Sequence, residues 1–124
     1  MHPIQTPTAP PAIGPYSQAI CANGLLFVSG QLPIDPATGL FAPGGIKEQT
    51  YQALKNAKAI VETAGFTLSQ TVKATVFLTD MNDFTAMNEV YASFFSAPFP
   101  ARAAFQVARL PKDAQVEIEL IVAK

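Results

Sequence analysis

The chain has 124 residues, of which 14% are charged, and its formal net charge is −1. An average soluble domain has about 25% charged residues, so we expect part of this surface to be buried between copies of the chain. Lysine and arginine do not cluster anywhere along the sequence, which disfavours a nucleic-acid-binding protein.

The length and the apolar pattern predict one domain that spans residues 1–124. The longest apolar runs are far shorter than the ~20 residues of a membrane span, so no membrane partner is expected. The N-terminus does not have the pattern of a signal peptide, and Cys21 is the single cysteine. These features favour a reducing, cytoplasmic setting.

The first third of the chain predicts an extended arm followed by a β-hairpin. Five prolines in residues 1–15 exclude a helix and allow at most a short edge strand. Asn23-Gly24 lies between the strand-like runs 17–21 and 25–29, and this dipeptide is typical of a tight hairpin turn. Prolines and glycines then interrupt residues 31–45, which indicates a loop.

Two helices and a strand follow. Residues 46–64 have apolar side chains at helical spacing, and Gly65 is a suitable helix stop. Residues 71–79 alternate as a strand does, with Val72 expected among the inward-facing side chains. Residues 82–96 have apolar side chains at helical spacing again, which predicts a second helix.

The last part of the chain predicts two strands, one in residues 99–108 and one in residues 115–122. A turn at residues 110–114 would pair them with one another, with the α-carbons of Arg102 and Glu117 ~13 Å apart along the sheet. Period-two alternation then places a guanidinium and two carboxylates on one sheet face. Such a face is either a pocket for a small anion or a structural ion pair.

The predicted order is β-β-α-β-α-β-β, which is an α+β fold. Two helices with one apolar stripe each can cover one face of the sheet. The other face is expected to be a surface between subunits that contains a pocket, because it mixes apolar and polar residues: Thr75, Phe77, Arg102, Ala104, Gln106, Ala108, Glu117, Glu119 and Ile121.

Several motifs appear in one register along nearly the whole chain. They are Gly14-Pro15-Tyr16-Ser17-Gln18-Ala19, Ser29-Gly30-Gln31, Asn82-Asp83-Phe84 with Asn88, Pro100-Ala101-Arg102, and Ala108-Arg109-Leu110-Pro111-Lys112-Asp113 leading to Val116-Glu117-Ile118-Glu119. By these motifs the chain resembles the RidA/YjgF family.

The resemblance implies a chorismate-mutase-like α+β fold, with one mixed sheet, two helices packed on one face, and a homotrimer that forms a central barrel. It implies pockets at the three subunit interfaces. It also implies a 2-iminobutanoate/2-iminopropanoate deaminase, which hydrolyses the reactive imines and enamines that pyridoxal-phosphate-dependent dehydratases release. The products are 2-oxo acids and ammonia, and no metal or cofactor is expected.

The same resemblance implies the residues of the site. Arg102 and Glu117 would be catalytic, and the substrate-binding residues would be Tyr16, Ser29, Gly30, Gln31, Asn88, Arg102 and Ala104. Many family members have a cysteine where this chain has Ala104, so a thiol there cannot be a required nucleophile. The loop at residues 96–99 also looks shorter than in many members, so one wall of the pocket is expected to differ.

The chemistry of these side chains agrees with an imino acid substrate. An arginine binds a planar carboxylate through two parallel hydrogen bonds, and a carboxylate such as Glu117 can carry protons between water and the leaving nitrogen. Glu119 competes for the second role, or else pairs with Arg109 or Lys73. The alternative functions are a small-carboxylate sensor, a chaperone-like protein, and an endoribonuclease or translation inhibitor.

Overall fold

The computed structural model describes residues 1–124, which form one mixed six-stranded sheet and two α-helices. The predicted order of elements is confirmed. A short N-terminal strand is added, and the bounds are β1 His2–Ile4, β2 Ala19–Ala22, β3 Leu25–Gln31, α1 Ile46–Thr63, β4 Thr71–Leu78, α2 Phe84–Phe94, β5 Ala101–Gln106 and β6 Val116–Ala123.

The strands lie in the order β1-β2-β3-β6-β4-β5. β6 runs antiparallel to both β3 and β4, while β4 and β5 are parallel to each other. α1 therefore connects β3 to β4, and α2 connects β4 to β5, as crossover helices between parallel strands. α1 packs on β3 and β6 and contacts α2, so both helices cover one face of the sheet. Neither helix has the length and apolarity needed to cross a membrane.

The predicted hairpin and helix stop are both present, and each depends on a glycine. Asn23 and Gly24 have φ values of 53° and 75°, the left-handed conformation that a two-residue turn between β2 and β3 requires. Gly65 has φ 84°, and its N–H donates to the carbonyl of Glu62. The N–H of Phe66 donates to the carbonyl of Val61, which completes the helix-ending motif.

The predicted apolar stripe of α1 forms much of the core. Its members are fully buried except for Ala64, which is partly buried: Ala53, Leu54, Ala57, Ile60, Val61 and Ala64. The second helix is shorter than predicted, because residues 81–83 form a 3-10 turn and the chain is extended at Phe95. An oxygen of the Asp80 side chain accepts from the N–H of Asn82 and starts that turn.

Two predictions about strands are wrong. β5 does not pair with β6. It pairs in parallel with β4 at the edge of the sheet, because α2 carries the chain over the sheet and returns it in the direction of β4. The turn at residues 110–114 exists, with a 3-10 segment at Pro111–Asp113, but it leads from β5 to β6, which lie two positions apart in the sheet.

The second error concerns Val72, which was expected to face inward. Val72 is 47% exposed, because an irregularity between Thr71 and Lys73 turns Thr71 inward instead.

Candidate functional site

Arg102 and Glu117 lie on opposite faces of the sheet, so the prediction that they share a face is wrong. Arg102 is aligned with Ala74 and Leu120, which are buried under the helices. Glu117 is aligned with Phe77, whose side chain lies on the uncovered face. Because β4 separates the two strands, the α-carbons of Arg102 and Glu117 are ~14 Å apart, from two strand spacings and three residues.

The predicted set of residues on the uncovered face is therefore correct for β4 and β6 and wrong for β5. The residues of β5 that lie on this face are Ala101, Ala103 and Phe105, and those under the helices are Arg102, Ala104 and Gln106. The alternation of side chains along β5 is as predicted. Which face each side chain occupies relative to β6 depends on β4, because β4 lies between the two strands and the predicted hairpin did not include it. Ala104 packs against the core and lines neither of the two grooves described next.

The first groove, called here the arginine half-site, has a volume of about 400 Å³ and is lined by Asn88, Tyr91, Ala92, Phe99, Pro100 and Arg102. Nη1 of Arg102 donates to Oδ1 of Asn88 over 2.6 Å. The ion pairs of the chain are Lys47–Glu89 and Arg109–Asp113, so Arg102 has no carboxylate partner. Within one chain this excludes the alternative that Arg102 belongs to a structural ion pair, and it leaves a cation available to an anionic ligand.

The second groove, called here the glutamate half-site, has a volume of about 690 Å³. It brings together five of the predicted site residues, which are Tyr16, Ser29, Gly30, Gln31 and Glu117. Tyr16 is 53% exposed at the mouth of the groove, and Gln31 is buried. The sequence motifs therefore correspond to two separate half-sites in one chain.

A β-bulge shapes the glutamate half-site. Val28 pairs with Leu120 and Gln31 with Ile118, so three steps along β3 match two along β6, and Ser29 and Gly30 oppose one residue. The hydroxyl of Ser29 donates to the carbonyl of Ser17 over 2.6 Å. Its proton is thereby used, and its remaining lone pairs can accept a hydrogen bond from a ligand or water.

The absence of a side chain at Gly30 leaves room for the side chain of Glu117. A β-carbon at position 30 would lie 2.9 Å from Cδ and 3.0 Å from Oε2 of Glu117, closer than real contacts of this kind. The family resemblance implies that Gly30 is a substrate-binding residue. The structure shows that the glutamate side chain itself lies close to this residue.

The environment of Glu117 raises the pKa of its carboxyl group. Burial is the main cause, because it disfavours the charged form, and the negative charge of Glu119 adds to it. A carboxyl with a raised pKa is a stronger base than a fully solvated one and keeps its proton to a higher pH, which suits a group that carries protons. This favours Glu117 over the exposed Glu119 as the group that transfers protons.

The other pairings proposed for Glu119 are not formed. Arg109 pairs with Asp113 over 2.9 Å. Lys73 and Glu119 line one small groove on the uncovered face without forming an ion pair. No three side chains of His, Cys, Asp or Glu converge as a metal site would require.

Sequence reasoning missed the role of Gln18, which stood in the first motif without an assigned function. Gln18 is buried, its Oε1 accepts from the N–H of Thr6, and its Nε2 donates to the carbonyls of Thr6 and Pro10. It therefore holds the proline-rich arm, whose Pro10 lines the glutamate half-site. Its partners are main-chain groups 8 and 12 residues away, so no local pattern in the sequence marks this role.

Comparison with known proteins gives matches over nearly the whole chain. The family model described as endoribonuclease L-PSP matches residues 6–124. A RutC family protein of Sinorhizobium fredii is 58% identical over 98% of this chain and 97% of its own length, and the 2-iminobutanoate/2-iminopropanoate deaminase of Capra hircus is 53% identical over 95% and 86%. The crystal structure of TdcF from E. coli with bound serine superposes with a TM-score of 0.95, at 43% identity over 100% of this chain and 99% of that chain.

Proposed function

Because the chain belongs to the RidA/YjgF family, also described as endoribonuclease L-PSP, we propose that it is an imine and enamine deaminase. It hydrolyses 2-iminobutanoate and 2-iminopropanoate to 2-oxo acids and ammonia, in the cytoplasm, and so removes reactive products of pyridoxal-phosphate-dependent dehydratases. The observation that carries the proposal is Arg102, an arginine that lines a groove and has no carboxylate partner in its own chain. Such an arginine is suited to the carboxylate of a small 2-imino acid.

The proposal requires a homotrimer in which the arginine half-site of one copy meets the glutamate half-site of the next. One copy holds Arg102 and Glu117 on opposite faces, so it cannot place both on one small ligand. The uncovered face of the sheet supports association, because Phe27 and Phe105 are 43% and 45% exposed there, and Phe105 packs on Phe77 at 5.3 Å between ring centroids. A trimer about one axis gives three identical composite sites.

In the proposed mechanism, Arg102 binds the substrate carboxylate and orients the adjacent C=N group. Glu117 accepts a proton from water while the water oxygen forms a bond to C2 of the protonated imine, which gives a carbinolamine. Glu117 then returns the proton to nitrogen and the C–N bond breaks. Ammonia leaves as the electron pair of the O–H bond forms the C=O bond, and the hydroxyl proton passes to the carboxylate of Glu117 and from there to ammonia, which gives ammonium. The electrophilic C=N bond is attacked by water directly, so the step needs no added metal or cofactor. Proton transfer of this kind typically contributes ~10²–10⁴-fold.

The test couples the protein to a threonine dehydratase and measures the rate of 2-oxobutanoate release with and without it. We expect faster release in metal-free buffer, and the Glu117→Gln variant should lose most of the acceleration. A folded wild-type protein that binds 2-oxobutanoate but leaves the rate unchanged would be a small-acid sensor rather than an enzyme. RNA cleavage that depends on Glu117 would instead support the nuclease alternative.

A further inference from the structure

The guanidinium of Arg102 lies over two aromatic rings of α2. Its guanidinium carbon is 4.7 Å from the ring centroid of Tyr91 and 5.5 Å from that of Phe84. Asn88, which accepts from Nη1, lies between these two residues in sequence. Positions 84, 88 and 91 follow one another at helical spacing, so a single face of α2 provides all three contacts to the guanidinium.

These contacts restrict a side chain that would otherwise be mobile. Arg102 is exposed on an edge strand, and a long arginine side chain loses rotamer freedom when it is fixed. The two rings contact the guanidinium, and the amide oxygen of Asn88 accepts a hydrogen bond from only one of its nitrogens. Nε and Nη2 of Arg102 have no hydrogen-bond partner in the chain, so these donors stay available to an incoming anion.

We propose that Phe84 and Tyr91 are positioning residues that hold the guanidinium of Arg102 in its carboxylate-binding orientation before substrate arrives. This inference rests on the proposed function, because it assigns Arg102 to the substrate carboxylate. The need to bind an anionic substrate explains why the groups around the guanidinium of Arg102 are uncharged. A carboxylate partner would also fix the arginine, but it would cancel the charge that a substrate must find, whereas aromatic rings and an amide leave that charge intact.

The ring of Tyr91, not its hydroxyl, has this role. Tyr91 is 4% exposed, and its buried hydroxyl has no hydrogen-bond partner. Tyr91→Phe therefore keeps the ring and removes a group that makes no hydrogen bond, whereas Tyr91→Leu removes the ring. Phe94→Leu is the matched control, because Phe94 lies on the same helix and its ring packs on Tyr51 instead of Arg102.

The kinetic experiment compares Tyr91→Leu, Phe84→Leu, Tyr91→Phe and Phe94→Leu with the wild type in the coupled imine assay. Loss of either ring should raise KM roughly 3- to 10-fold, with kcat changed less than about twofold, because the arginine contacts the carboxylate equally before and during reaction. Tyr91→Phe and Phe94→Leu should stay within about twofold of the wild type in both constants. Calorimetric titration with 2-oxobutanoate should show the same order of affinities.

A second readout needs no ligand. Arg102 and Arg109 are the arginines of the chain, so their side-chain Nε–H signals are readily assigned by NMR. In the free protein we expect an order parameter for Arg102 above about 0.8, falling below about 0.6 in Tyr91→Leu and Phe84→Leu. Phe84 is only partly buried, so Phe84→Leu still tests the idea if Tyr91→Leu does not fold.

The two readouts separate the inference from the proposed function. An ordered Arg102 in a wild type that neither binds 2-oxobutanoate nor hydrolyses imines would contradict the function, while showing that the guanidinium is ordered without it. An active wild type whose ring-deletion variants match Phe94→Leu in KM and in Arg102 order would overturn the positioning role alone. A Tyr91→Phe variant as impaired as Tyr91→Leu would also overturn it, since the hydroxyl would then be the active group.

Discussion

The carboxyl group of Glu117 lies directly over the α-carbon of Gly30, so the orientation of one residue depends on the absence of a side chain at the other. Gly30→Ala should displace the Glu117 side chain with little loss of stability, because the far end of a flexible side chain can move aside. We expect turnover to fall by roughly 10²-fold, the effect of about 1 Å of misplacement in a catalytic group. The measurement is kcat beside thermal unfolding. Gly45→Ala is the control, since a β-carbon there meets nothing within 4 Å, and it should leave turnover unchanged.

Glu117→Gln should change activity and stability in opposite directions. Turnover should fall by roughly 10²–10⁴-fold because the proton acceptor is lost. Because the pKa of Glu117 is raised in the folded state, the folded protein binds this proton more tightly than the unfolded chain does. The stability that comes from this tighter proton binding is fully present below the pKa of the unfolded chain, which is about 4.5. It is lost as the pH rises through the pKa of Glu117 in the folded protein.

The variant should therefore melt at a higher temperature than the wild type at neutral pH, and the difference should shrink below about pH 4.5. Thermal unfolding at a series of pH values measures this. A wild type that remains the more stable protein at neutral pH would show that the carboxylate of Glu117 is favourably paired, contrary to the raised pKa.

Arg102 should tolerate no replacement, even by another cation. Arg102→Ala removes carboxylate binding, and an ammonium in Arg102→Lys cannot form two parallel hydrogen bonds to a carboxylate or stack on Tyr91 and Phe84 as a planar group does. Both variants should lose about 2–5 kcal/mol of transition-state binding, measured from kcat/KM. The control Arg109→Lys alters an exposed pair with Asp113 and should keep wild-type kinetics.

At the scale of elements, α1 supports the glutamate half-site through one buried asparagine. Nδ2 of Asn56 donates to the carbonyls of Leu32 and Ile34, and both of these residues line the groove. Asn56→Leu should cost about 3 kcal/mol, because it leaves two partly buried carbonyls without their donor. Urea unfolding measures the loss, and KM should rise as the groove wall loosens. Thr63→Ala, at an exposed position of the same helix, should change stability by less than about 0.5 kcal/mol.

The elements that sequence predicted correctly are those with local causes. The hairpin at Asn23-Gly24 and the end of α1 at Gly65 each follow from the conformational freedom of a glycine, and the buried stripe of α1 follows from its periodicity. The partner of β5 has a non-local cause. The strand-helix-strand order of β4, α2 and β5 is typical of a parallel pair, whereas the short turn before β6 is typical of a hairpin, so the sequence contains signals for both pairings.

At the scale of the whole molecule, the motifs predict residues that line the two grooves, but they do not predict the separation of these residues into two half-sites. Which face a strand residue occupies depends on the strand beside it, so the error in pairing β5 moved Arg102 to the wrong side. The bulge of β3 was also missed, because it appears only when β3 is aligned with β6. The division of the site supports assembly more strongly than the low charge content alone.

The composite site can be tested by combining two inactive variants. If Arg102 and Glu117 act from different copies, then Arg102→Ala and Glu117→Gln chains mixed at random in equal amounts should restore about one quarter of the sites, the product of two probabilities of one half. Co-expression followed by the coupled assay measures this recovery, and light scattering checks for a trimer. Activity no higher than the mean of the two pure variants would place the site within a single chain.

The position of β6 also sets an order of events during synthesis. β6 is the last of the six strands to be made, yet it lies between β3 and β4 and supplies both with hydrogen-bond partners. Until it leaves the ribosome, the inner edges of β3 and β4 have no partner, and a nascent chain has an open sheet prone to pairing with other chains. The strand that closes the sheet also carries Glu117, so the carboxyl group proposed for proton transfer arrives only with the completed core.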